Sequence, residues 1–191
     1  MKTDNVTKNL NEICLVLMRP DVFQSGKFPE ALLALSSLEN IEIVHVKTMT
    51  PNRELLEKHY KKDEAWLTKV GIKTIELLLA NKLPANLGAL SYGQQVLKSL
   101  IDYNTEGTIV AVLLRGLDAC NQLRELVGHT NPAEAAPGTL RARYSTDSFE
   151  KANLEIRAVR NGFHCSESDH DGLMEASLFF PEFKITDLIK G

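Results

Sequence analysis

At 191 residues, with 43% hydrophobic and 25% charged positions, the chain has the size and composition of one folded domain with a full core. A formal charge of −3 excludes a global field that would draw in nucleic acid or an anionic membrane, so an anionic ligand must be met by a local cluster of Arg or Lys. The cysteines, Cys14, Cys120 and Cys165, are odd in number and share no CxxC spacing, which argues against a disulfide framework or a cysteine zinc site and for a reducing compartment.

The N-terminal stretch MKTDNVTKNLNE is polar. The apolar run behind it, Ile13 to Met18, is too short for a signal segment or a membrane span, so a cytoplasmic protein without membrane contact is expected. That run, ICLVLM, reads as a buried central strand stopped at Arg19-Pro20-Asp21. Phe28 to Leu38 carries Leu32, Leu35 and Leu38 at helical spacing behind Pro29-Glu30. IEIVHVKTM alternates from Ile41 and reads as a strand, with His45 on its face, and a helix opens at Thr50-Pro51 and reaches His59-Tyr60. Asp63 to Lys82 and Tyr92 to Tyr103 are helical, with a break at Pro84 and Gly88 between them. TIVAVLLRG, Thr108 to Gly116, is a second buried strand, and Leu117 to Val127 a helix ending at Gly128. His129 to Arg160 reads as mostly loop, with one helical piece over Phe149 to Val159. Phe163 to Ser166 is a last short strand, and Asp169 to Phe180 a helix with acidic residues at its N-terminal end. This order predicts a single α+β domain over 1–191: a four-stranded sandwich of the split βαβ kind, with helices on one face of the sheet.

Chemistry concentrates in the second half. Arg124, Arg141, Arg143, Arg157 and Arg160 surround the loop string GHTNPAEAAPGTLR, Gly128 to Arg141. Small residues let backbone N–H groups approach a ligand, and arginine binds phosphate bidentately. A solvated loop with scattered charges is the competing reading. Farther on, RNGFHCSESDH places His164 where a short strand runs out into a polar turn. The acidic run Glu167, Asp169 and Asp171 with His170 reads as a solvated helix start rather than a metal site, and His59 as a surface or loop residue.

These strings resemble the nucleoside diphosphate kinases. GHTNPAEAAPGTLR looks like that family's signature loop, and LMRPD (Leu17 to Asp21), KHY (Lys58 to Tyr60), GTIVAVLLRG (Gly107 to Gly116) and NGFHCSES (Asn161 to Ser168) follow in the family's order, from about Ile13 to Phe183. The fold implied is a ferredoxin-like sandwich, a four-stranded antiparallel sheet with helices. The resemblance implies that His164 carries a phosphoryl group from a nucleoside triphosphate such as ATP to a nucleoside diphosphate. A histidine suits this, since an imidazole with an unperturbed pKa of about 6.5 offers a neutral nitrogen near pH 7. By the same resemblance Glu175 orients the imidazole, with Ser166 close by and Tyr60 near the nucleophile. Arg124, Thr130 and Arg141 match phosphate-binding residues, and Asn161 matches the contact to the ribose. Mg2+ is expected on the nucleotide phosphates rather than on protein ligands, and a dimer-based tetramer or hexamer as the assembly.

The chain departs from the family pattern at several positions. Arg19 stands where the family has a lysine that contacts the ribose and the transferred phosphate. The phenylalanine that stacks on the base has no clear counterpart; Val96 aligns there, and Trp66 or Tyr92 are the aromatic alternatives. A helical insertion is read at about 61–95 and a shorter one at about 145–159. Cys165 replaces a glycine and Glu167 an aspartate. The rival reading is a nucleotide-binding sensor or scaffold of the same fold with little transfer activity, motivated by Arg19 and the missing phenylalanine.

Overall fold

The computed structural model describes residues 11–184, so most of the polar N-terminal stretch, 1–12, lies outside the described residues. In chain order the elements are β1 (Glu12–Met18), α1 (Pro20–Gln24), α2 (Phe28–Ser36), β2 (Ile41–Met49), α3 (Arg53–His59), α4 (Glu64–Ala80) and α5 (Ala89–Thr105). There follow β3 (Ile109–Gly116), α6 (Ala119–Val127), a 3-10 turn (Pro132–Glu134), α7 (Leu140–Tyr144), α8 (Phe149–Leu154), β4 (Phe163–Cys165) and α9 (Asp169–Phe179). The strands form one antiparallel sheet in the order β2–β3–β1–β4, the arrangement of a ferredoxin-like α+β sandwich.

The two central strands are apolar at successive positions, over 13–18 and 109–114, rather than at alternate ones, and this sets the layers. Cys14, Val16 and Met18 of β1 face one side with Val110, Val112 and Leu114 of β3, beneath Val22 of α1, Leu35 of α2 and Leu123 of α6. Ile13, Leu15 and Leu17 face the other side with Ile109, Ala111 and Leu113, beneath Ala176 and Phe179 of α9. The expectation of helices on one face is therefore corrected: both faces are covered, because strands apolar on both sides must be buried on both.

Local chemistry shifts several boundaries. Pro20 ends β1 and also opens α1, since a first-turn residue needs no backbone N–H. Residues 129–160 hold more order than a loop, and the helical piece at Phe149 stops before Ile156, whose φ of 52° leaves the helical region. Gly172 brings α9 against β1, because a Cβ built there would stand 1.9 Å from the Ile13 carbonyl oxygen. α4 and α5 meet through the same device: a Cβ on Gly71 would lie 1.7 Å from the Ala89 oxygen, and one on Gly93 would lie 2.0 Å from the Leu67 oxygen. Leu56 and Tyr60 root this hairpin against Ile101. No helix among the described residues is long and apolar enough to cross a membrane.

Candidate active site

β4 pairs with β1 so that His164 stands opposite Leu17, and the side chain falls on the face that α9 covers. One turn beyond Gly172, Glu175 meets it: Oε1 lies 2.8 Å from His164 Nε2. The other carboxylate oxygen accepts from Ser166 Oγ at 2.6 Å, and that hydroxyl in turn accepts from the Leu15 N–H at 2.9 Å. Backbone of β1 thus fixes Ser166, Ser166 fixes Glu175, and Glu175 fixes the imidazole. A carboxylate only accepts, so Nε2 carries a proton toward Glu175, and in the neutral ring it is Nδ1 that keeps the lone pair. No hydrogen bond from a described residue engages Nδ1.

The end of α3 packs against this group. Tyr60 caps the helix, is buried, and lies edge-on to His164 with ring centroids 6.5 Å apart. Its hydroxyl is held neutral, because burial raises its pKa against the opposing charge of Arg19. His59 is nearer still, meeting the His164 ring edge-on at 4.7 Å and Phe179 at 5.2 Å. Its side chain is only 2% exposed, which corrects the expectation of a surface or loop residue. Burial first, and then repulsion from its neighbours (His164 when that ring is protonated, Arg19 and Lys62), pushes its pKa down to about 2, so its ring is neutral.

Arg19, just after β1, is 5% exposed. Its Nη1 donates to Asn161 Oδ1 at 2.9 Å and its Nη2 to the Tyr60 hydroxyl at 3.4 Å. Asn161 uses its other end to donate to the Thr130 carbonyl at 3.0 Å, which ties the signature loop to Arg19. Arg141, on α7, donates to the carbonyls of Gly128 (2.6 Å) and Phe163 (2.9 Å), next to the histidine. Burial, and after it the neighbouring Arg19 charge, lowers Arg141 to about 10, which leaves it a cation at neutral pH. Arg124, in the last turn of α6, reaches the Glu167 carbonyl at 3.3 Å.

The arginines differ in their partners, and the exposed Arg143 has no carboxylate partner among the described residues. Arg53, Arg115, Arg157 and Arg160 each pair with a carboxylate. Arg19, Arg124 and Arg141 pair with none among the described residues, and Nε of both Arg19 and Arg141 is buried without a hydrogen-bond partner. Buried guanidinium groups without a counter-anion are costly, and a bound phosphate chain would satisfy them.

Of the residues singled out from sequence, Arg19, Tyr60, Thr130, Arg141, Asn161, His164, Ser166 and Glu175 are joined by these contacts, and Arg124 joins through Glu167. Val96 and Trp66 are not hydrogen-bonded into the group. Val96 is buried on α5, and Trp66 opens α4 with Lys62 Nζ 5.5 Å above its ring. Tyr92 offers no face to a base: it is buried in the hairpin and its hydroxyl accepts from the Asn86 N–H at 3.1 Å. Tyr103 was missed by sequence reasoning. Its hydroxyl accepts from the Gly162 N–H at 3.3 Å, and its ring lies between Arg19 (5.3 Å) and Arg160 (4.6 Å), a cation–π support for the arginine. The signal available for His59 was its place in KHY; for Tyr103 there was none beyond an aromatic at a helix end.

Residues 72–185 match the family model described as nucleoside diphosphate kinase. The chain is 32% identical over 181 residues to a nucleoside diphosphate kinase of Pyrobaculum aerophilum, covering 92% of this chain and 98% of that one. It is 30% identical over 176 residues to one from Archaeoglobus fulgidus, covering 92% and 91%. The crystal structure of the Pyrobaculum aerophilum NDP kinase superposes with a TM-score of 0.81 at 30% identity, over 89% of this chain and 96% of that one. A Borrelia burgdorferi nucleoside-diphosphate kinase, solved as a transition state mimic with bound vanadate and ADP, shares the fold with a TM-score of 0.71 at 22% identity, over 90% and 88%.

Proposed function

We propose that this chain, which belongs to the nucleoside diphosphate kinase family and is a phosphotransferase, transfers the γ-phosphoryl of a nucleoside triphosphate to a nucleoside diphosphate through Nδ1 of His164. In the first half-reaction the Nδ1 lone pair forms a P–N bond as the bond from the γ-phosphorus to the bridging oxygen breaks, and the diphosphate leaves. In the second, a diphosphate oxygen attacks the same phosphorus and the P–N bond breaks. Glu175 holds the Nε2 proton throughout, so the ring gains no free N–H on the side that reacts. Arg19, Arg124 and Arg141 supply the fixed positive charge that a spreading phosphoryl charge needs, and Asn161 and Thr130 set the loop beside them. The observation that carries this reading is that Arg19, Arg124 and Arg141, without a carboxylate partner among the described residues, are tied to the residues around a histidine whose Nδ1 has no partner among them.

Mg2+ prefers oxygen ligands and keeps several of its waters, so it suits this site carried on the nucleotide phosphates, where it would neutralise phosphate charge. A homo-oligomer built from dimers is supported by β2, a nine-residue edge strand with Val46 37% exposed, the kind of edge that pairing covers. Three free cysteines suit a reducing compartment such as the cytoplasm.

The test is incubation with MgATP and no acceptor. The protein should become phosphorylated on His164, in a modification labile to acid and stable to alkali, and GDP should discharge it to GTP. Nucleotide binding with no phosphohistidine would leave the sensor or scaffold reading in its place.

A further inference from the structure

We propose that His59, His164 and Glu175 form a second, inhibitory site for a borderline-soft divalent cation of the Zn2+ type, which silences His164 by fixing the opposite ring tautomer. One donor atom from each of the three residues lies within 4.8 Å of the others. His59 Nδ1 is 3.6 Å from Glu175 Oε1, and His164 Nε2 is 2.8 Å from the same oxygen. These two separations lie on either side of the roughly 3.3 Å edge of a tetrahedron whose metal–ligand bonds are about 2.0–2.1 Å, and the third, between the two rings' donors, is within 4.8 Å.

The second observation is independent of that spacing. Both ring nitrogens of His59 are buried without a hydrogen-bond partner, on a side chain 2% exposed. A buried polar atom left unmatched calls for a ligand or water. Its neighbour is already oriented: Ser166 holds Oε2 of Glu175, and that leaves Oε1 turned toward both rings. A supported carboxylate with two imidazoles is a zinc-type donor set, whereas Mg2+ prefers an octahedron of oxygens.

Occupancy would alter the nucleophile directly. A neutral imidazole has one N–H and one lone pair. In the metal-free ring the proton sits on Nε2 toward Glu175. A metal bonded to Nε2 uses that nitrogen's lone pair, so Nε2 releases its proton to solvent and Nδ1 takes one up, with no net change. Nδ1 then has no lone pair with which to attack phosphorus. The inhibitory half of this proposal rests on His164 as the nucleophile; the binding half does not.

The experiment uses chelator-treated full-length protein without nucleotide, titrated with ZnCl2, and with CoCl2 as a visible reporter of tetrahedral N and O coordination. The parent should bind one Zn2+, and nitrogen-15 NMR of the imidazoles should show the His164 proton moving from Nε2 to Nδ1. His59→Phe, which keeps an aromatic edge against His164, and His59→Gln should each weaken binding at least about tenfold. Bound Zn2+ should also block labelling of His164 by limiting MgATP, and chelator should restore it. Equal affinity in both His59 variants, an unmoved His164 tautomer, or thiolate-to-cobalt charge-transfer bands from Cys14, Cys120 and Cys165 would overturn the site. Zn2+ binding with the tautomer shift, in a parent that never forms phosphohistidine, would uphold the site and sink the phosphotransfer reading instead.

Discussion

Glu175 Oε1 accepts from His164 Nε2 at 2.8 Å, and this contact leaves Nδ1 as the ring nitrogen without a hydrogen-bond partner among the described residues. Replacing the carboxylate by an amide keeps an acceptor but removes its charge and allows the wrong end to face the ring. Glu175→Gln should slow phosphohistidine formation by about two orders of magnitude without abolishing it. His164→Ala should give no label and still bind ADP, because Arg19, Arg124 and Arg141 remain. Quench-flow labelling and ADP calorimetry read the two outcomes.

Ser166 supports that contact from behind. Ser166→Ala frees one oxygen of Glu175 and strips the buried Leu15 N–H of its acceptor. Stability should fall by about 1–3 kcal/mol in urea melts, and labelling should slow in parallel.

Arg19 is a buried cation whose hydrogen bonds go to neutral groups, Asn161 and Tyr60. Arg19→Ala should cost about 2–4 kcal/mol of transition-state stabilisation, as the loss of one preorganised donor does. Arg19→Lys should retain much of the turnover, since it keeps the charge. Steady-state kcat/KM with ATP and a second diphosphate measures both, and an alanine variant as fast as the parent would remove Arg19 from the phosphate site.

Trp66 is the only tryptophan, so its fluorescence reports on one place. If it supplies the face for the base, ADP should change that signal, and Trp66→Leu should weaken ADP by about 1–3 kcal/mol. Unchanged affinity would leave the base to aliphatic contacts such as Val96.

Asp147 accepts both arms of the Arg157 fork, at 2.6 and 3.0 Å, and the Arg160 N–H at 2.7 Å. Burial raises its pKa, but the Arg157 fork and the backbone donors outweigh burial and hold it below the ordinary carboxylate value. A depressed folded pKa means stability that is full above the unfolded value and is lost as pH falls through the folded one. Asp147→Asn should therefore destabilise by about 1–3 kcal/mol at pH 7. The difference from the parent should shrink toward zero as the pH is brought below the folded value. Paired urea melts across that range test it.

The site was legible where its residues sit in long unusual strings: the signature loop carries Thr130 and Arg141, and NGFHCSES carries Asn161, His164 and Ser166. His59 was not, because α3 is too short for periodicity to tell its buried face from its exposed one. Helices on both faces of the sheet were implicit in the unbroken apolar runs of β1 and β3, yet the element order alone does not say which face each helix takes. The approach of Cys14 Sγ to Cys165 Sγ, 3.6 Å, joins neighbouring strands 151 positions apart and leaves no trace in spacing.

The α4–α5 hairpin and the α8 segment are far apart in sequence and are not independent in space. Thr74 Oγ1 of α4 donates to Asn153 Oδ1 of α8 at 2.9 Å, and the Ala158 N–H donates to Ser99 Oγ of α5 at 2.5 Å. Thr74 is fully buried. Each segment is thus the other's cover, and a chain that lost only one would expose apolar helix and strand a hydroxyl. Heredity should treat them as a single character: relatives of this fold should carry both segments or neither, and a chimera given one alone should be less stable than a chimera given the pair.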